Sequence, residues 1–166
     1  METIIGFLAN IFSNINSYVF IFIISLLPIL ELRGGLIAAA LLNVPYVRAL
    51  IICIIGNIIP IPFILLFMRK LLNWMKKFKG IGKAALWLEN KTLKKRKQLD
   101  KYGFWGLILF VGIPLPGTGA WTGSLLASLL YLPVKKCTVA AIIGVFLAAA
   151  IMSIITYLIP WLVSMI

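Results

Sequence analysis

The sequence predicts an all-α integral membrane protein built from two inverted repeats. Each repeat reads as a re-entrant broken-helix hairpin plus a transmembrane helix. An N-terminal amphipathic helix precedes the first repeat, and a basic cytoplasmic helical loop separates the two. Three observations predict this. The 166 residues are 63% hydrophobic and 12% charged, with a mean hydropathy of +1.11, whereas a soluble domain has roughly 45–50% apolar residues. Most Lys and Arg residues lie in one block between Arg69 and Lys101. Two Pro/Gly-rich interruptions recur in a common register.

The chain forms a single membrane domain over 1–166, whose length suits about four to six membrane segments at roughly 20 residues per span. Residues 1–16 are the N-terminal helix, with Ile4, Ile5, Leu8, Ile11, Phe12 and Ile15 at helical spacing. It reads as an interfacial helix or a weak first span. No basic residue precedes Arg33, so no signal-peptide n-region is expected. The same absence favours an external N-terminus.

Residues 17–68 are the first repeat. Tyr18–Leu27 is an apolar stretch, about 15 Å of helix and half a bilayer. Pro28 interrupts it, Leu32–Leu42 resumes as a short helix, and Asn43-Val44-Pro45 turns the chain. Val47–Met68 is long enough to span, with Pro60 and Pro62 placed to kink its second half. The basic loop covers 69–101, with a Lys-rich surface helix expected over Lys83–Lys101. The second repeat covers 102–160. Tyr102–Phe110 re-enters the membrane, Val111–Gly123 forms the second break, Ser124–Tyr131 is a short helix, and Thr138–Ile159 is the last span.

The two halves share a register. Pro28 and Pro45 are 17 positions apart (45 − 28), as are Pro116 and Pro133 (133 − 116). A shift of 88 (116 − 28) pairs Pro28 with Pro116, Gly35 with Gly123, Pro45 with Pro133 and Gly56 with Gly144. Paired interrupted segments in corresponding positions are the sequence signature of a transporter site. A re-entrant second hairpin puts Lys135 and Lys136 on the cytoplasmic side with the basic loop, as the positive-inside rule prefers. One crossing per half then makes the repeats inverted. A kinked spanning helix is the rival reading.

The first break, Pro28–Gly35, carries Glu31 and Arg33, the only charges between Thr3 and Val47. Ionisable groups at membrane depth cost about 2.5–3.5 kcal/mol each on insertion scales and mark function by default. The candidate substrate- or ion-binding residues are Glu31, Arg33, Gly34, Gly35, Pro116, Gly117, Thr118, Gly119 and Trp121. Glu31 is read either as the neutralising partner of Arg33 or as a titratable coupling site. Thr118 is a candidate N-cap. Two helix N-termini and Arg33 aimed at the centre would favour an anionic group. Gly119 and Trp121 stand where the first break has Glu31 and Arg33, giving a Gly-lined wall with one indole. That wall is read as close backbone packing or as an apolar surface for a substrate.

Histidine is absent and only four residues are acidic. No catalytic residue, metal site or cofactor is expected. Cys53 and Cys137 read as buried small hydrophobes. Net charge is +12, but its confinement to a loop beside apolar spans points to anionic lipid rather than nucleic acid.

PILELRGG, followed by GIPLPGTGAWTGSLLAS, resembles the small multi-drug export protein family of bacterial and archaeal membrane proteins. The likeness runs from about Ser25 to Ile155. That family looks related to the DedA (VTT-domain) superfamily, although the second hairpin here has no acid and no arginine. The resemblance implies two opposed re-entrant hairpins and proton-motive-force-linked transport or lipid flipping, with Glu31, Arg33, Pro116, Gly117, Thr118 and Gly119 at the site. The expectation is a small proton-coupled secondary transporter in a prokaryotic plasma membrane, multi-pass, that exports or flips an amphipathic small molecule or lipid phosphate. Its expected partners are membrane lipids, the substrate, protons and, for so small a unit, a second copy in a homodimer. The alternative is a non-transporting scaffold whose basic loop binds anionic lipid or a partner protein.

Overall fold

The computed structural model describes residues 16–75, 77, 96–130 and 132–165. The expected N-terminal helix and most of the basic loop lie outside them. The described elements are helical: α1 (Ser17–Leu26), α2 (Glu31–Leu41), α3 (Tyr46–Ile58), α4 (Pro60–Met75), α5 (Arg96–Gly112), α6 (Ala120–Leu129), α7 (Val134–Ser153), a π-helix (Ile154–Leu158) and α8 (Ile159–Val163).

Local chemistry sets the boundaries. The Asn16 side chain accepts the Tyr18 N–H at 2.9 Å and caps α1. Pro28 stops that helix. Asn43 adopts φ 53° after α2, a left-handed stop that Asn tolerates, and Pro45 then caps α3. Pro60 opens α4, whose first positions need no N–H partner. Ile59 between them keeps helical geometry, so Tyr46–Met68 is one apolar rod of 23 residues. Val134–Val163 forms a second, of 30 residues. These two are long and apolar enough to cross a membrane.

The last rod starts four residues before the expected Thr138 and continues past Ile159, because a π-helix absorbs a change of pitch without ending the rod. In α5, Gly103 breaks the helical path with φ 45°. The apolar limb is therefore Gly103–Gly112.

Both short pairs fold back as hairpins. A Cβ on Gly35 would overlap the Ser25 hydroxyl and lie 2.8 Å from the Cys53 sulfur, so α2 lies tight against α1 and α3. A Cβ on Gly123 would come within 2.7 Å of Val111, which seats α6 on α5. Small residues let backbones approach closely where no water drives the packing. Helix α7 packs against α2, α3, α4, α5 and α6. Its buried face is small: Ala140, Ala141, Gly144, Val145, Ala148 and Ala149. Its other face leaves Val139, Ile143 and Phe146 exposed, as a surface toward lipid would be.

Candidate functional site

The two breaks meet. Glu31 heads α2 at φ 52°, a left-handed geometry that costs a non-glycine residue about 1–2 kcal/mol and persists only where the surroundings hold it. Its side chain is 5% exposed. The carboxylate reaches the second hairpin, where Oε2 accepts the Ala120 N–H at 3.2 Å and Oε1 accepts the Trp121 N–H at 3.0 Å. Those donors open α6, where a helix has unpaired N–H groups and a positive dipole end. Glu31 thus supplies the capping acceptor for a helix that begins 89 residues downstream.

Arg33 answers at the other side of the second break. Its Nη1 donates to the Leu115 carbonyl at 2.8 Å. Its Nη2 donates to the Ile113 carbonyl at 3.2 Å and to the Thr118 hydroxyl at 3.1 Å. These carbonyls follow the end of α5, where a helix presents its negative pole. The rigid fork of a guanidinium suits several acceptors at once. The break returns one bond: the Trp121 indole donates to the Leu26 carbonyl at 3.0 Å, at the end of α1. Glu31 and Arg33 bond the opposite hairpin in these contacts rather than each other.

Thr118 is not the helix cap. Gly119 holds that position at φ 140°, with no side-chain bond of its own. The Thr118 hydroxyl turns back instead, 2.8 Å from both the Ile113 and the Leu115 carbonyl oxygens, and accepts the Leu115 N–H at 3.2 Å. A Cβ on Gly119 would overlap the Glu31 carboxylate; the absent side chain is the space the carboxylate fills. This explains why α6 begins at Ala120 rather than at the expected Ser124. The acceptor that starts it comes from another part of the chain.

The nine sequence candidates divide. Glu31, Arg33, Thr118, Gly119 and Trp121 form the junction. Gly34 and Gly35 face away from it; a Cβ on Gly34 would meet Leu30 and Ile24, and one on Gly35 would meet Ser25. Pro116 and Gly117 lie in the exposed part of the second break, with nothing within 4 Å of the Gly117 Cβ position. The anion at the α6 N-terminus is the chain's own carboxylate, and both Arg33 Nη atoms are engaged. The arrangement differs in this from a cradle open to a foreign anion.

Sequence reasoning missed the backbone partners at Leu26, Ile113, Leu115 and Ala120, because a main-chain group carries no residue signature. It also missed Ser124. The Arg33 Nε, Asn57 Oδ1 and Ser124 Oγ atoms are buried without a partner, and a small hydroxyl inside an apolar helix was the available signal. No group of three or more His, Cys, Asp or Glu that could hold a metal occurs among the described residues.

Apolar rods of spanning length around a junction of two charge-capped helix breaks define a helical membrane protein. Residues 31–151 match the family described as "Putative small multi-drug export protein", and the chain belongs to that family. Among the curated proteins and the solved structures compared with it, none matches.

Proposed function

We propose that this chain is a small secondary transporter, proton-coupled at Glu31, that exports or flips an amphipathic molecule across a prokaryotic plasma membrane. The carrying observation is the Glu31 carboxylate, buried at the junction and holding the N-terminus of α6 in the opposite hairpin. An ionised carboxylate accepts both N–H groups. Protonation turns one oxygen into a donor, so one of those bonds is lost together with the negative charge that complements the helix pole. The two breaks then separate, and a path opens between them. Deprotonation draws them together again. One group thereby links proton binding to the position of both hairpins.

In this reading the hairpins are re-entrant and the repeats inverted. Each limb has 10 or 11 residues, about 15–17 Å of helix, which is half of the hydrocarbon core. Two half-depth hairpins that enter from opposite faces meet at their tips, and the bonds between the two breaks support this reading. Irregular backbone at that depth survives because the other hairpin satisfies it. The basic loop lies on the cytoplasmic side, and DedA-like opposed hairpins are the nearest mechanistic analogy.

The test is proton flux in proteoliposomes loaded with a pH-sensitive dye. One arm adds ethidium, a lipophilic cation; the other carries a fluorescently tagged phosphatidylglycerol. Flux dependent on either probe, lost in Glu31→Gln, is the expected result. Coupled flux that survives in Glu31→Gln, or no flux with either probe, overturns the reading.

A further inference from the structure

A broad, open groove lies apart from the junction. It measures about 600 Å³ and is lined by Tyr46, Ser153, Ile154, Tyr157, Leu158 and Trp161. That volume falls within the range of sites for drug-sized molecules. Three of its six lining residues are electron-rich aromatics. The Tyr46 and Tyr157 rings meet edge to face, with centroids 4.8 Å apart. Trp161 is about half exposed, as are Ile154 and Leu158, so the groove is open along the outer surface of the described helices.

The backbone here is irregular in a specific way. Ile154–Leu158 is the π-helix, and no residue in it is buried. A π segment widens the helix and rotates the side chains that follow, and such segments occur frequently at functional sites. Here it brings Tyr157 and Trp161 onto the same groove. Tyr157 also donates its hydroxyl to the Leu36 carbonyl of α2 at 3.4 Å. The groove wall thus touches the hairpin limb that begins at Glu31.

We propose that this groove is a binding site for lipophilic aromatic cations. The aromatic faces carry negative quadrupole charge and attract a cation when water is excluded. No lining residue is basic. The nearest cation in sequence, Arg48, sits two positions from Tyr46, on the far side of α3. It donates instead to the Tyr18 hydroxyl at 3.1 Å. Hydrocarbon-compatible molecules with delocalised positive charge fit an open groove with three aromatic rings in its wall. The proposal extends the transporter reading but is read by binding alone, without a gradient. A chain that binds the probe supports the site even where the flux assay fails.

The experiment is equilibrium binding of tetraphenylphosphonium to the full chain in detergent, with empty micelles subtracted. Saturable binding is expected, weakened at least tenfold by Trp161→Ala and by Tyr46→Ala. Trp161→Phe, which keeps a ring, stays within about threefold of wild type. Should Trp161→Ala not fold, Leu158→Trp fills the groove and abolishes binding. Tetraphenylborate, with the same shape and opposite charge, should not saturate. Equal saturable binding of tetraphenylborate, or unchanged affinity in Trp161→Ala and Leu158→Trp, overturns the proposal.

Discussion

Glu31 and Trp121 hold the ends of each other's hairpins. The Glu31 carboxylate accepts the Trp121 backbone N–H at 3.0 Å, and the Trp121 indole donates to the Leu26 carbonyl at 3.0 Å, five residues before Glu31. Each break therefore supplies what the other lacks. Hydrogen bonds to charged groups contribute roughly 1.5–3 kcal/mol each, and the loss is greater where a buried partner is orphaned.

Gly119→Ala tests the fit between the breaks. A Cβ there would overlap the Glu31 carboxylate, and φ 140° is itself unfavourable for an L side chain. The expected loss is more than about 3 kcal/mol, read as a large drop in melting temperature in detergent. Gly117→Ala, at φ 80° in open space, should cost only about 1–2 kcal/mol. Adding Glu31→Ala to Gly119→Ala should relieve part of the clash, giving a non-additive double-mutant cycle. Strict additivity would show that the two residues do not meet.

Trp121→Phe isolates one hydrogen bond. It keeps an aromatic body and removes the donor to Leu26, so about 1 kcal/mol of stability should be lost. Trp121→Ala should cost more, about 3–5 kcal/mol if the site does not collapse. Equal melting temperatures for Trp121→Phe and wild type would mean that the indole bond contributes nothing.

Arg33→Lys should behave as a damaging change despite the retained charge. The fork reaches two carbonyls and a hydroxyl at 2.8–3.2 Å, a geometry that a single ammonium does not reproduce. A loss of about 2 kcal/mol is expected. Thr118→Val should cost about 1–2 kcal/mol, since it removes both the Arg33 acceptor and the donor to the break's own carbonyls. Thermal melts of both variants and their double mutant would show strong coupling, because the two share one bond.

The proposed inverted arrangement makes a prediction about membrane sidedness. Val47 and Lys135 are both exposed, near the starts of α3 and α7. Val47→Cys should react with an impermeant maleimide on intact cells, and Lys135→Cys only after permeabilisation. The native Cys53 and Cys137 are buried and should give little background. Labelling of both positions from one side would eliminate the re-entrant, inverted reading.

Much of the architecture was legible in local residues. Pro28, Pro45 and Pro133 mark real helix boundaries, and the spacing of 88 anticipates a helix–break–helix–rod order in both halves. Local patterns also placed Glu31 and Arg33 at a break. They did not reveal the bonding, because its partners lie 80 to 90 residues away and all but the Thr118 hydroxyl are backbone atoms. The early start of α6 and the left-handed Glu31 follow from that same long-range contact. The π-helix has no sequence mark in Ile-Ile-Thr-Tyr-Leu, a run that reads as ordinary helix.

The reciprocal capping also imposes an order on biosynthesis. Glu31 and Arg33 leave the ribosome some 80 to 90 residues before their partners at Ile113, Leu115, Ala120 and Trp121. At ~5–20 residues per second that interval is about 4–18 s. During it, Glu31 and Arg33 lack the partners that they bond in the folded chain. On the proposed re-entrant reading, the first hairpin reaches its final place only once the second has been made, so closing the junction is a late step of assembly.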